Sequence, residues 1–127
     1  MKYYINKTVN YTFEEAIERV TALLKEHGFG VLTTIDVKET LKKKIDVDFK
    51  RYTILGACNP QSAYKALSLE DKLGVLLPCN VIVIEQDSGI EVCAIDPYSM
   101  MGQLGNKELI QIAEEVNKHF QEVFEKL

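Results

Sequence analysis

Hydrophobic and polar residues alternate along the chain with two different periods, and the changes of period divide the sequence into elements. A period of 3.6 residues beginning at Phe13 places apolar side chains on one face of a helix, and a second such stripe begins at Leu109. Between these helices, short apolar runs bounded by turn residues have the length and β-branched content of strands. The predicted strands cover residues 3–9, 31–37, 52–57, 81–85 and 90–95.

Polar capping residues predict where the helices begin. Thr12 and Glu15 match a capping box at the first long helix, and Asn106 can cap the last one. Gly28 suits the left-handed residue that closes the first helix. Three further caps precede short helices: Asp36 before residues 37–44, Asn59 with Pro60, and Asp96 with Pro97.

This order of elements predicts an α+β fold class. We expect a single domain over residues 1–127 without a linker, with a largely antiparallel five-stranded sheet and two main helices on one face. The core is then β-α-β(4)-α with short helical insertions. Residues 81–84 are apolar at every position, which predicts a strand that is buried on both faces, whereas two helices cover only one face.

A second layer over the uncovered face is therefore expected, made by another subunit or by a ligand under the loops. A homodimer is favoured because a symmetric partner covers a whole face, whereas a small ligand covers only part of it. The apolar loop at residues 73–78 and the flexible pair of methionines add to this surface. The residues predicted to form the ligand or subunit contact are Leu76, Leu77, Pro78, Val81, Val83, Met100 and Met101.

Composition and charge narrow the function classes. Hydrophobic residues make up 46% of the chain and charged residues 27%, which is ordinary for a soluble globular protein. The net charge of −4 argues against binding to nucleic acid or to an anionic membrane, because both need a basic face. No apolar stretch approaches the roughly 20 residues of a membrane span, and the first residues contain no apolar signal segment. A cytoplasmic location is expected.

The three cysteines, Cys58, Cys79 and Cys93, match no Cys-x-x-Cys spacing, and three free thiols are expected in a reducing compartment. A Cys-Asn dipeptide occurs twice where a hydrophobic run meets a proline, as Cys58-Asn59 and as Cys79-Asn80. A thiol just before a helix N-terminus can be stabilised as a thiolate, but free cysteines more often act as small core residues. Cys58, Asn59, Cys79 and Asn80 are the only catalytic candidates, and whether the protein is an enzyme stays open because no nucleophile–base pair can be assembled.

Other polar residues are expected to have structural roles. Asp36 and Asp96 are interpreted as helix caps, each contributing on the order of 1 kcal/mol. His27 falls at the end of the first long helix and His119 beside the apolar stripe of the last, and neither is predicted to have a metal-ligating partner. The sequence therefore predicts no metal site and no cofactor.

Four ordered blocks of sequence resemble the family called domain of unknown function 302. They are residues 28–37, the segments around Cys58 and around Cys79, and the Ala-Ile-Asp-Pro block at residues 94–97. The resemblance covers nearly the whole chain. It implies a compact α+β domain with a β-α-β(4)-α core that pairs as a homodimer. It implies no activity, cofactor or catalytic residue.

Two hypotheses about function follow from the sequence. The first is a homodimeric module that binds a small molecule or a protein partner through the apolar sheet face and the adjacent loops. The second is a cysteine-dependent redox, sulfur-handling or soft-metal protein that uses Cys58 and Cys79, which requires these thiols to be close in space.

Overall fold

Five strands form one antiparallel sheet in this computed structural model, which describes residues 2–127. The sheet order is β1-β5-β4-β3-β2, so β4 lies in the centre and β1 and β2 form the two edges. A register shift between Val31 and Thr33 marks a bulge in the edge strand β2. The strands are β1 (Tyr4–Val9), β2 (Gly30–Asp36), β3 (Tyr52–Cys58), β4 (Cys79–Gln86) and β5 (Gly89–Ile95).

The helices begin at the predicted capping residues. Thr12 Oγ1 accepts a hydrogen bond from the Glu15 N–H at 3.1 Å, and Glu15 Oε1 accepts one from the Thr12 N–H, which confirms the capping box. The α-helices are α1 (Phe13–Glu26), α2 (Val37–Ile45), α3 (Pro60–Leu69), α4 (Pro97–Met101) and α5 (Lys107–Lys126), with short 3-10 segments at Asp71–Leu76 and Gly102–Leu104. No helix in residues 2–127 combines the length and the apolar character needed to span a lipid bilayer.

The main core lies between the sheet and the helices α1 and α5. Val81 and Val83 of β4 point toward these helices and are completely buried. A smaller apolar cluster, formed by α3, α4 and the first turns of α5, continues this layer beyond the end of the sheet. The α+β prediction with two main helices on one face is confirmed. The apolar stripe of α5 is buried as predicted, at Leu109, Ala113, Val116, Phe120 and Val123.

The sheet face opposite α1 and α5 is called the open face here. Because successive side chains of a strand point to opposite faces, the neighbours of Val81 and Val83 in β4 lie on the open face, as do their cross-strand partners. The register places a mainly apolar row across four strands of this face, consisting of Ile35, Ile54, Ile82 and Cys93. A parallel row contains Tyr52, Ile84 and Glu91.

The boundaries of all five predicted strands differ from the observed ones by one or two residues, and two of these differences have a local explanation. The second strand ends at Asp36 rather than at residue 37, because the Asp36 carboxylate already caps α2 by accepting a hydrogen bond from the Glu39 N–H. The third strand extends to Cys58, one residue beyond the predicted end, because Cys58 still pairs with Gly30 of β2.

A close contact at Gly56 in β3 generates the first prediction. A Cβ atom at this position would overlap the Thr33 hydroxyl and lie 2.8 Å from Pro78 Cγ. We expect Gly56→Ala to lower the free energy of unfolding by about 1–3 kcal/mol, the usual cost of overpacking, as measured by urea denaturation. Gly30→Ala in the neighbouring strand is the matched control, because its Cβ would meet no atom within 4 Å. That variant should stay within about 0.5 kcal/mol of the parent, and an equal loss in both variants would contradict the steric explanation.

Candidate functional site

The two Cys-Asn dipeptides lie at the same end of the sheet. Antiparallel pairing of β3 with β4 places Ala57 opposite Cys79, so that Cys58 and Cys79 come close together. Both residues line a cavity of about 30 Å³. The other walls of this cysteine cavity are mainly apolar and include Phe29, Pro78, Pro97 and Met101. The structure therefore supplies the proximity that the thiol hypothesis requires.

The environment of Cys79 favours an uncharged thiol. Burial, with a smaller contribution from the neighbouring Cys58, raises the pKa of the Cys79 thiol to about 11. Cys93, which is buried on the open face, has its pKa raised to about 12, first by burial and then by the charge of Glu91. Nucleophilic chemistry needs the thiolate, so neither position is activated near neutral pH.

The two asparagines have different positions. Asn59 Oδ1 accepts hydrogen bonds from the N–H groups of Gln61 and Ser62 and caps α3, so its carbonyl oxygen serves the fold. Asn80 lies opposite Gly56 in the sheet and lines the open face, one residue from Cys79 but on the other side of β4. Cys58, Asn59 and Cys79 thus line one cavity, whereas Asn80 lies on the other face of the sheet. That cavity holds about one water molecule, which leaves no room for a substrate.

The predicted contact residues divide into a buried group and a surface group. Val81 and Val83 lie in the main core beneath the helices, and the residues of β4 that lie on the open face are instead Ile82 and Ile84. Met101 is buried in the smaller cluster, where Leu76 and Leu77 pack against it. Met100 is 39% exposed, and Pro78 lines the cysteine cavity.

A shallow groove of about 430 Å³ occupies the open face. Its floor is apolar, with Ile82, Ile84 and Cys93, and the register places Ile82 between Ile54 and Cys93. Three tyrosines lie along it, Tyr3, Tyr4 and Tyr52, of which Tyr3 is 64% exposed. Burial raises the pKa of Tyr52, which keeps its hydroxyl protonated as a hydrogen-bond donor. The groove is therefore an apolar surface with polar groups at its edges, which is the usual composition of a small-molecule site.

Glu91 supplies the only carboxylate among the residues lining this groove. Asn6 Nδ2 donates a hydrogen bond to one carboxylate oxygen at 2.8 Å, and Gln86 Nε2 donates to the other at 3.0 Å. These two hydrogen bonds lower the pKa of Glu91 and hold the carboxylate in one orientation. The charge in the groove is therefore fixed and negative at neutral pH.

A cluster of metal-ligating side chains lies on the helical side of the molecule. His27 follows the last turn of α1, and His119 and Glu122 lie one turn apart on α5. The Nδ1 atoms of the two histidines are 2.9 Å apart, and His27 Nδ1 lies 3.7 Å from Glu122 Oε2. The sequence predicted no ligating partner for either histidine, whereas the structure places a second histidine and a carboxylate close by. The three-residue spacing of His119 and Glu122 could have predicted that these two side chains are neighbours on one helix. The proximity of His27 could not be predicted, because 92 residues separate it from His119.

The fold and these surfaces define a single-domain α+β protein with one helical layer and one open sheet face. Within that class, the chain belongs to the family described as Domain of unknown function DUF302, whose sequence model matches residues 5–127. A crystal structure of an uncharacterized conserved DUF302 protein from Bacillus stearothermophilus is similar, with a TM-score of 0.90 and 30% sequence identity. The similarity covers 97% of this chain and 96% of that one. No curated protein matched the sequence.

The elevated pKa of Cys79 generates the second prediction. At pH 8 a thiol with a pKa of 11 is about 0.1% thiolate, against about a quarter for an unperturbed cysteine with a pKa near 8.5. We therefore expect Cys79 in the native protein to alkylate with iodoacetamide at least about 100-fold more slowly than in urea, and to accelerate as the pH rises toward 11. Mass spectrometry of the labelled peptides checks this. Fast labelling of native Cys79 with an apparent pKa below 8.5 would contradict it.

Proposed function

We propose that this protein is a homodimeric binding module in which the open faces of two copies pack together and enclose a small apolar ligand in the groove. The observation that carries the proposal is the mainly apolar row across the open face, in which Ile35 is 47% exposed and Ile54 and Ile82 are partly exposed. A central strand that is apolar on both faces needs cover on both, and α1 and α5 supply it on one.

The exposed surface area of the chain supports the proposal that a partner covers part of it. A folded monomer of 14.4 kDa is expected to expose roughly 6,800 Å² by the usual size scaling. This chain exposes 7813 Å², an excess of about 1,000 Å² over that expectation. An interface of ordinary size buries about 800 Å² on each partner, so the excess is of the size that one subunit contact would remove.

A twofold arrangement of two open faces favours a second copy of this chain over an unrelated partner. A twofold axis through the centre of a sheet face brings each residue of one copy against its complement in the other, so one apolar patch suffices for both sides of the contact. The row of isoleucines supplies such a patch. Glu91 is the charged residue lining the groove, and its carboxylate already accepts hydrogen bonds from Asn6 and Gln86. The resemblance-based expectation of a homodimer agrees with this arrangement.

The chemistry of the groove indicates the class of ligand. The apolar floor of the groove, formed by Ile82, Ile84 and Cys93, suits a flat apolar ligand. Dispersion and the burial of apolar area would stabilise the complex. In the same row, the Glu91 carboxylate suits a hydrogen-bond donor or a positive charge at one end of the molecule, and the Tyr52 hydroxyl can donate to an acceptor. A planar apolar compound, neutral or carrying one positive charge, is therefore the favoured ligand, and anionic compounds are disfavoured by Glu91.

A second candidate function is favoured by one observation, the shared cavity of Cys58 and Cys79. Two neighbouring thiols can hold a soft metal ion or react with a sulfur species. The raised pKa of Cys79 and the small volume of the cavity weigh against it. Unchanged copper(I) binding and unchanged peroxide reactivity in Cys58→Ser and Cys79→Ser would eliminate this candidate.

The third prediction concerns assembly. Ile35→Glu places a charge in the apolar row, and a twofold interface contains the substitution twice. We expect the dimer to dissociate at least about 100-fold more readily, because each buried unpaired charge costs upward of 1.4 kcal/mol, a factor of ten. Sedimentation velocity across a dilution series measures the change. Val75→Glu is the matched control, since Val75 is apolar, is 86% exposed and lies outside the open face. A parent protein that is monomeric at all concentrations would eliminate the dimer.

The fourth prediction concerns the ligand. Nile red, a neutral planar dye, should fluoresce on binding the parent protein and shift the amide NMR signals of β4 and β5. Ile82→Thr shortens the apolar floor and adds a hydroxyl, so we expect an affinity about fourfold weaker, which corresponds to the roughly 0.8 kcal/mol of a buried methylene. Val75→Thr serves as the control and should leave the affinity unchanged. A dimer without dye binding would leave only the assembly role, whereas dye shifts confined to residues outside β4 and β5 would reject the groove.

A further inference from the structure

We propose that His27, His119 and Glu122 form a binding site for one divalent first-row transition metal ion, for which Zn²⁺ is the representative. The site lies between the end of α1 and the last part of α5, on the helical side of the molecule and away from the open face. Its ligand atoms all lie within 4.8 Å of one another. Two imidazole nitrogens and one carboxylate oxygen form a donor set that zinc, nickel, cobalt and copper prefer over magnesium or calcium.

The distances agree with ligation after small side-chain adjustments. Two ligands bound at 2.0–2.1 Å lie about 3.3 Å apart in a tetrahedral site and about 2.9 Å apart at adjacent positions of an octahedral one. The observed separations bracket these values, with 2.9 Å between the two Nδ1 atoms and 3.7 Å from His27 Nδ1 to Glu122 Oε2. The Glu122 carboxylate is at the end of a flexible, partly exposed side chain and can move toward the two nitrogens without shifting the backbone.

The fold holds the two imidazoles in place. The His27 N–H donates to the carbonyl oxygens of α1, and Gly28 with φ +81° turns the chain immediately after it. The His119 ring lies edge-on to the ring of Phe29, with the two centroids 6.0 Å apart. Because neither backbone nor ring has to be ordered when the ion binds, little conformational entropy is lost on binding.

The electrostatic environment also favours a cation. The two Nδ1 atoms lie 2.9 Å apart, and a metal ion would bind between them. The Glu122 carboxylate adds a negative charge beside His27 Nδ1, which favours a cation at this position. A metal ion has the advantage of binding all three donors at once. The Glu122 side chain is 45% exposed while that of His27 is 11% exposed, so the ion reaches a sheltered pair of nitrogens from the solvent side.

Three protein ligands leave at least one coordination position for water, as in metal sites that are open to exchange. This distinguishes the site from a structural zinc site, in which four protein ligands close the coordination sphere. The fold does not depend on the ion, since α1 and α5 pack through the main core. We therefore expect the protein to fold without metal and to gain stability when metal is added.

The test is isothermal titration of the metal-free full chain with Zn²⁺, together with the visible absorption of bound Co²⁺. We expect one ion per chain in the parent. We expect His119→Gln and His27→Gln each to weaken the affinity for Zn²⁺ at least about 100-fold. This is more than the roughly 10–100-fold loss typical of residues that only hydrogen-bond to a metal ligand. Glu122→Gln should weaken the affinity about tenfold. The unfolding temperature should rise with Zn²⁺ in the parent and less in each variant. Glu125→Gln, an exposed glutamate on the same helix, is the matched control and should bind like the parent.

Two further measurements keep the proposal open to refutation. Cys58→Ser with Cys79→Ser should leave Zn²⁺ binding unchanged, and a thiolate-to-cobalt charge-transfer band in the parent would instead place the ion at the cysteines. Glu122→Gln changes a half-exposed side chain and should fold even where a histidine variant does not. Two results would overturn the proposal: equal Zn²⁺ affinity of this variant and the parent, or no movement of the imidazole NMR signals of either histidine on adding Zn²⁺. Either result would show that the two rings form only a hydrogen bond.

Discussion

The central strand β4 imposes the constraint on which the rest of the structure depends. Its side chains alternate between two faces, and the helices α1 and α5 cover only one of them. Val81 and Val83 are therefore buried within the chain, whereas Ile82 and Ile84 are directed to the opposite side. A shift of β4 by one residue would exchange these sets, moving valines to the open face and Asn80 toward the core. The main core and the groove thus depend on the same register.

The same helical layer brings together residues that are far apart in sequence. α1 ends where α5 passes, so the residue after the first helix meets the side chains near the end of the last one. Phe29 contributes to both neighbouring sites, because its ring contacts His119 and also lines the cysteine cavity. The histidine cluster and the cysteine cavity are thus separated by one aromatic side chain. The groove on the open face lies on the other side of the sheet from both.

Much of the fold could be predicted from the sequence because its signals are local. The capping box at Thr12, the proline after Asn59 and the proline after Asp96 each act within a few residues, and each predicted an element boundary. The apolar run at residues 81–84 predicted a strand with two buried faces but not the face on which each residue lies, which depends on the partner elements. For that reason Val81 and Val83 were expected at a contact surface and are found in the core. The histidine cluster depends on a meeting of two helix ends, which no local pattern encodes.

The bulge in β2 has a consequence for how copies of this chain can meet. A regular edge strand presents a row of unpaired N–H and C=O groups, onto which another chain can add a strand and extend the sheet. The shift between Val31 and Thr33 interrupts that row near the start of β2, and a bulge of this kind increases the local twist. Growth of the sheet from one molecule into the next is thereby obstructed at β2. Association along edges has no natural end, so the bulge opposes fibre growth through β2.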